Sequence, residues 1–401
     1  MTVCPRIAAP WRHWSDATSR RNVGVYVHIP FCPARCSYCD FLTYAGDRPA
    51  GMNPQTYVSA LLVEIERRGQ LFRERYSRQG RVVDTVFIGG GTPTFLTPAA
   101  LASVVSAVRE QFAVAADAEV TSEANPDTVT PEHLIAMAGA GVNRISLGVQ
   151  STQERHLKFM RRTHRWQDII HVLRMVAAGP IPRYSFDLIY GVPRQTLGEL
   201  KQSIRRLLDF GPRHISAYCL TREPGTPYSK WLKRFPQLQA REASVVDQQH
   251  TVQRLLGAAG LYRYEVSNYA LPGEESRHNL RYWRGGDYFG LGLGAASRIG
   301  DAVLNNPYGW PAYQQRVEKA GSSADPLAEA IDAAALADIT GQAPPADLFL
   351  RLRTRAGFTQ NGYALEASWL TRGWLTPAAA GRIEVTRQGM GMADFFAREL
   401  A

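Results

Sequence analysis

The sequence predicts an α/β fold: a partial, open (β/α)6 barrel of the TIM-like kind, followed by a small C-terminal α+β module. Three observations predict it. Six apolar, β-branched runs alternate with five runs of helical spacing between Val23 and Leu220, the order expected of a parallel sheet built from βαβ crossovers. Each apolar run ends on or near a cysteine, glycine or polar residue, at the end where such a barrel gathers its ligands. Beyond Thr221 the alternation stops.

Taken in order, Val23–Ile29 alternates and is β-branched, so it reads as a buried strand that Pro30 ends. Gln55–Leu71 has apolar residues at helical spacing, with Glu64 and Glu66 on its polar side. Thr85–Ile88 is the second strand. It runs into Gly89-Gly90-Gly91-Thr92-Pro93, where glycines let the backbone approach a ligand closely; an ordinary tight turn is the plainer reading. Pro98–Phe112 is a helix, Glu119–Glu123 a strand, Pro131–Ala140 a helix and Arg144–Gln150 a strand. Trp166–Ala178 is a helix, Tyr184–Leu188 a strand carrying Asp187, Leu197–Asp209 a helix and His214–Leu220 the sixth strand. Arg222–Pro227 is turn-rich, Gln239–Ala259 reads as a helix, Tyr262–Tyr269 as a strand, and Tyr288–Gly294 is glycine-rich. From Ala324 the chain is Ala-rich and helical. Leu348–Arg353, Trp374–Val385 and Met390–Leu400 then suggest a winged-helix-like module, most often a packing or docking unit. The expected division is a tail over 1–22, the barrel over 23–225, an extension over 226–323 and the C-terminal module over 324–401.

The chain has 401 residues, 45% of them hydrophobic, enough for a large core. It contains no apolar run of about 18 residues, so no transmembrane segment is expected. The first residues hold Arg6, Arg12, Arg20 and Arg21 around Trp11 and Trp14 and lack the apolar core of a secretory signal. The formal charge of +10, from 46 Lys plus Arg against 36 Asp plus Glu, favours anionic partners. Carboxylate-bearing small molecules and anionic membrane surfaces both fit. No dense basic block with interleaved aromatics is present, so no nucleic acid is expected as a partner.

Three of the five cysteines, Cys32, Cys36 and Cys39, are spaced C-x3-C-x2-C after the first strand. Three thiolates can hold three irons of a 4Fe–4S cubane and leave the fourth iron open to a small ligand. Tyr38 and Phe41 flank Cys39 and are expected to shield such a cluster from water. A structural zinc site needs a fourth ligand, and the nearest, His28, lies within the strand. A disulfide framework is out of keeping with so few cysteines in so long a chain. Unpaired thiols and an oxygen-sensitive cluster point to a reducing cytoplasm. Cys4 and Cys219 lack cluster spacing.

This setting resembles the radical S-adenosylmethionine (SAM) superfamily, and from Val23 onward the chain is similar to its HemN/HemW branch. The motifs that carry the resemblance are VHIPFCPARCSYCDF, GGGTPTFL, SEANPDT, RISLGVQS, DLIYGVPRQT and HISAYCL. The resemblance implies that Cys32, Cys36 and Cys39 ligate a 4Fe–4S cluster, and that Tyr26, Gly90 and Glu123 touch the SAM bound to it. Tyr38, Gly91, Thr92, Gln150, Arg162, Asp187 and the backbone of Cys219 match a second SAM site in HemN-type enzymes. It also implies an electron donor such as flavodoxin or ferredoxin.

Within this branch, HemN-type enzymes are oxygen-independent coproporphyrinogen III dehydrogenases, whereas HemW proteins bind haem and are regarded as haem chaperones. Three features favour the HemW side. The dehydrogenases carry a further cysteine two residues after the last cluster cysteine, where this chain has Phe41, and they have an N-terminal arm before the barrel. The segment His278-Asn279-Leu280-Arg281-Tyr282-Trp283 matches the H-N-x-x-Y-W signature that HemW proteins use for haem. His278 then suits iron as a neutral imidazole, Tyr282 and Trp283 suit the porphyrin face, and Arg277, Arg281 and Arg284 suit propionates. The plainer reading is that this segment packs against the barrel with His278 hydrogen-bonded. The acceptors implied are haemoproteins, including ones at the membrane. HemN-like methyltransferases that use two SAM molecules share much of this barrel and remain the alternative. After about residue 320 the match weakens: the family's Gly-Leu-Arg segment is replaced by Leu350-Arg-Leu-Arg353.

Overall fold

The computed structural model describes residues 22–322, 324–340, 350, 352–355, 358–359, 367–378, 382–386 and 388–392. Cys4, all but one residue of the expected tail, and most of Met390–Leu400 lie outside the described residues.

Six strands, β1 (Val23–Ile29), β2 (Val83–Gly90), β3 (Val114–Ala124), β4 (Arg144–Gln150), β5 (Arg183–Tyr190) and β6 (His214–Cys219), pair in parallel in sequence order. Helices Pro54–Arg75, Pro98–Gln111, Pro131–Ala140, Trp166–Ala177 and Leu197–Leu208 make the crossovers. The start signals are chemical. Asn53, Thr97, Thr130 and Thr196 cap four of these helices through side-chain oxygens, and proline opens the first three of the four, where its missing N–H costs nothing.

Both margins of the sheet come from the chain after β6. Strand β9 (Tyr288–Leu291) lies parallel to β1, and β10 (Ala296–Ile299) and β11 (Ala302–Asn305) continue antiparallel beyond it. On the other side β8 (Asn268–Ala270) pairs antiparallel with β6, and β7 (Tyr262–Arg263) with β8. Among the described residues the sheet therefore has two edges, β11 and β7.

The alternation of side chains is inverted relative to an oil-filled barrel. Val23, Val25, Val27, Ile29, Val86, Ile88 and Val120 are buried among apolar side chains and form the core. Their neighbours of opposite parity, among them Tyr26, His28, Thr121, Glu123, Ser146, Asp187, His214 and Ser216, line a single cavity. Since β1 and β6 contribute to the same cavity, the sheet curls around it. Gly290 shows how tightly the margin is packed: a Cβ there would lie 1.9 Å from the carbonyl oxygen of Ala296.

Several expectations are corrected. Tyr262–Tyr269 is two short strands and not one, because Glu265 is buried and its carboxylate accepts the Ser267 N–H at 3.0 Å, turning the chain back. Past the turn-rich Arg222–Pro227 stands a helix, Pro227–Arg234, capped by Thr226. The H-N-x-x-Y-W segment is the helix Arg277–Trp283, capped by Ser276. The described C-terminal residues form helix Pro326–Thr340, helix Ala367–Thr371 and a three-stranded antiparallel sheet, β12 (Phe358–Thr359), β14 (Arg382–Val385) and β13 (Leu375–Pro377) in that order. Leu352, Trp369, Trp374, Ile383 and Val385 give this part a core of its own.

Candidate functional site

The cavity measures about 420 Å³, near the small end of the roughly 300–1,000 Å³ typical of ligand sites. Glu123, at the C-terminal end of β3, and Asp187, in the second half of β5, stand within it. Gly90 holds φ at +112°, and a Cβ there would meet the His28 ring at 2.5 Å. Only glycine fits, and its N–H donates to Glu123 Oε2 at 3.1 Å. Burial and the neighbouring Asp187 carboxylate push the Glu123 carboxyl up to about 8, against the Gly90 N–H. Burial pushes Asp187 up to about 6, opposed by the hydroxyls of Ser216 and Ser146; Ser146 Oγ donates to its Oδ1 at 3.0 Å. Two carboxyls facing one cavity thus favour a cationic or hydroxyl-bearing ligand, which would restore their charge.

His28 was absent from the expected ligand-binding set. Its Nε2 lies 2.9 Å from the Leu42 carbonyl and its Nδ1 2.8 Å from the Tyr26 hydroxyl. A carbonyl only accepts, so Nε2 carries the proton and Nδ1 accepts from Tyr26. Burial keeps the ring neutral by lowering its pKa. With its proton committed to His28, the Tyr26 oxygen faces the cavity as an acceptor. The signal was present in the sequence: a two-residue spacing on a strand puts Tyr26 and His28 on one face.

The cysteines follow β1 on a loop held by Cys32 N–H to Tyr44 O at 3.1 Å and Tyr44 N–H to Pro30 O at 2.7 Å. All three are half-buried free thiols. Burial pushes Cys39 up to about 11 and raises Cys32; Cys39 also feels Cys36 and Cys32 as neighbouring charges, and Cys32 feels Cys36. Thr92 Oγ1 lies 3.5 Å from Cys32 Sγ, and Arg162 Nη1 3.5 Å from Cys36 Sγ. A Cβ on Gly91 would stand 3.1 Å from Cys32 Sγ and 2.7 Å from the Phe31 carbonyl, so that glycine leaves room beside the sulfur. Among the described residues no three His, Cys, Asp or Glu side chains converge on one metal ion. Three neighbouring thiols spread around donor groups fit a polynuclear cluster better than a single zinc, which takes four close ligands. Tyr38 is enclosed beside Cys36 and Arg162. Phe41 is not a shield: it is 60% exposed, at the cavity rim.

The remaining expected residues divide by place. Tyr26, Gly90, Glu123 and Asp187 meet at the cavity. Tyr38, Gly91, Thr92 and Arg162 gather around the cysteines and do not line it. Arg162 also donates to the Gly148 carbonyl, which puts it beside the end of β4, where Gln150 takes a φ of +65°. Cys219 stands apart at the end of β6, its sulfur 3.4 Å from where a Cβ on Gly191 would lie.

The helix Arg277–Trp283 packs across the lower part of the cavity. Asn279 and Tyr282 line it. His278 is wholly buried, with Nδ1 3.0 Å from Thr85 Oγ1, Nε2 2.9 Å from the Tyr282 hydroxyl, and its ring stacked on Phe87 at 5.4 Å. Burial, followed by the Arg281 charge, brings its pKa down to about 3. Trp283 Nε1 donates to Glu265 Oε2 at 2.9 Å. Arg281 is fully buried in an ion pair with Asp84, Arg277 donates to the Asp117 carbonyl at 3.1 Å, and Arg284 is buried. In this arrangement His278 offers iron no free nitrogen, and the Arg281 guanidinium is committed to Asp84. These contacts pack the segment against β2 and the cavity.

Residues 26–207 match the family described as the Radical SAM superfamily. The chain is 39% identical over 281 residues to the "Heme chaperone HemW" of Escherichia coli (strain K12), covering 69% of this chain and 70% of that one. This chain belongs to the HemW family of radical-SAM proteins. A HemW of Mycobacterium tuberculosis (strain ATCC 25618 / H37Rv) is 38% identical over 278 residues, covering 69% of this chain and 70% of the relative. The mitochondrial radical S-adenosyl methionine domain-containing protein 1 of Mus musculus is 36% identical over 299 residues, covering 74% and 65%. The coproporphyrinogen III oxidase HemN of E. coli shares the fold, with a TM-score of 0.70 at 23% identity over 94% of this chain and 89% of that one. Radical-SAM membership implies a 4Fe–4S cluster and SAM, and the cysteine loop and carboxyl-lined cavity fit that pair.

After anaerobic reconstitution, Cys32→Ala, Cys36→Ala and Cys39→Ala should each lose the bound iron, whereas Cys219→Ala should keep it; iron and acid-labile sulfide analysis checks this. Glu123 supplies a pH test in the cluster-free protein. Its folded pKa, about 8, exceeds its ordinary value of 4.5, so its contribution to stability is fully present below 4.5 and lost as pH rises through about 8. The Tm should fall across that window, and Glu123→Gln should flatten the slope. Equal slopes in both proteins would contradict the assignment.

Proposed function

We propose that this chain is a haem chaperone of the HemW type, holding haem for acceptor haemoproteins on a core that carries a 4Fe–4S cluster and SAM. The observation that carries the reading is the 39% identity to a protein named as a heme chaperone, over 70% of its length. Cys32, Cys36 and Cys39 hold the cluster. When bound, the cluster would supply one-electron chemistry to the SAM held beside it. Tyr26 offers its oxygen as an acceptor, and Glu123 and Asp187 meet the ammonium and ribose hydroxyls of SAM. Arg162 and Thr92 donate toward cluster sulfur, which steadies negative charge there. Their position against the cysteines, outside the cavity, speaks for this role ahead of a second SAM site.

A cavity of about 420 Å³ suits one ligand of the size of SAM and leaves no room for a porphyrin beside it. Haem therefore docks at the mouth, where Phe41 and Tyr308 are each 60% exposed and present large apolar faces. Phe41 stands where the resemblance puts a cysteine in the dehydrogenases. No helix among the described residues is long and apolar enough to cross a membrane, so delivery to haemoproteins, from the cytoplasm or at a membrane surface, proceeds by docking.

Reconstituted protein should bind haem, seen by its absorption spectrum, and should not convert coproporphyrinogen III to protoporphyrinogen. Phe41→Ala with Tyr308→Ala should weaken haem binding with iron–sulfur content unchanged. His278→Ala should cost about 3 kcal/mol of stability, through a cavity and an orphaned hydroxyl, and leave haem affinity of the folded protein intact. Turnover of coproporphyrinogen III overturns the proposal; selective loss of haem by folded His278→Ala returns the haem site to the helix.

A further inference from the structure

A second surface meets the cysteine loop from outside the cavity. Ser37, between Cys36 and Tyr38, is the knot. Its carbonyl accepts the Tyr228 N–H at 2.8 Å, its N–H donates to the Met160 carbonyl at 3.1 Å, and its Oγ donates to the Phe159 carbonyl at 3.0 Å. Phe159 in turn packs edge-on against Tyr228 at 5.7 Å and Trp231 at 5.2 Å. The loop, the segment Lys158–Arg161 and the helix Pro227–Arg234 are thus pinned together around the Cys36 side of the loop.

The apolar residues of this helix turn inward, with Tyr228 and Leu232 buried. Lys230, Lys233 and Arg234 face out, spaced i, i+3, i+4, so they share one face. Lys158 and Arg161 from the adjoining segment and Arg35 from the loop are exposed as well. None of these six cations forms an ion pair among the described residues. Against them stand the exposed acids Asp40 and Glu154. No large exposed hydrophobic residue lies on the helix or on Lys158–Arg161.

We propose that this face docks an acidic one-electron carrier protein, which reduces the cluster. The proposal rests on the functional reading above. The balance is simple: one electron leaves the reduced carrier and enters the oxidised cluster, and no bond forms or breaks in that step. A charged face without exposed apolar anchors gives a small, fast, salt-sensitive contact, the kind used by transient electron-transfer partners. An anionic lipid surface would share the charge, but the missing apolar side chains and the tie to the cysteine loop favour the carrier.

The test uses full-length reconstituted protein and Lys230→Glu/Lys233→Glu/Arg234→Glu, whose side chains are exposed and outside the ligand cavity. Cluster reduction is followed anaerobically with reduced flavodoxin of negative net charge, at rising salt, with dithionite as the small-molecule control. The variant should be reduced by flavodoxin at least about tenfold more slowly at low salt, with its salt dependence lost and the dithionite rate and iron content unchanged. Equal flavodoxin rates in both proteins overturn the proposal. So does an unchanged rate with lost co-sedimentation on phosphatidylserine vesicles, which would make the face a lipid contact. Failure of the wild type to hold iron would sink the functional reading itself, and the iron assay reports that separately.

Discussion

The register of six parallel strands is the constraint on which the rest of the structure depends. Tyr26 stands opposite Phe87, Glu123 opposite Ser146, and Asp187 opposite Ser216. A slip of one residue in any strand would turn its cavity residues into the helix layer and its valines into the cavity. The apolar parity is what prevents that slip. Val25, Val27, Val86, Ile88 and Val120 are all fully buried, and exchanging such residues for carboxyls would cost several kcal/mol per strand. The polar interior is thus held in place by the apolar exterior of the same strands. Below it, the buried Arg281–Asp84 pair ties the helix Arg277–Trp283 to the edge of β2, where breaking one partner would cost about 3–5 kcal/mol.

The same burial that positions the site also shifts its groups toward their neutral forms. Glu123 and Asp187 are raised, as are the Cys32 and Cys39 thiols, while His28 is kept uncharged. Such an interior waits for charge to be matched from outside: iron for the thiols, a cationic ligand for the carboxyls. Gly90 and Gly91 matter because they leave volume beside Glu123 and Cys32 where any side chain would intrude.

Strong local signals were legible in the sequence. Strands Val23–Ile29 and Arg144–Gln150 and the helix Pro131–Ala140 match to the residue, because period, caps and prolines all agree there. The cysteine loop was legible from spacing alone. What failed did so where tertiary contacts override local pattern. Tyr262–Tyr269 has strand composition, yet the buried Glu265 needs backbone donors and Trp283 and bends the chain to reach them. The surroundings of His278 were not legible: Thr85 and Tyr282 lie at its two nitrogens, and no one-dimensional pattern shows that those partners come from β2 and from one turn along the helix. Phe41 was read as a shield because it adjoins Cys39, and adjacency along a loop does not fix which way a side chain points.

The central claim is that cysteine loop and carboxyl-lined cavity form one site, in which SAM meets the cluster. The most direct measurement is the electron paramagnetic resonance spectrum of the dithionite-reduced, reconstituted protein before and after adding SAM. The account predicts a 4Fe–4S signal whose g-values shift on adding SAM, with the shift lost in Glu123→Ala at unchanged iron content. A cluster signal indifferent to SAM in the wild type would contradict it.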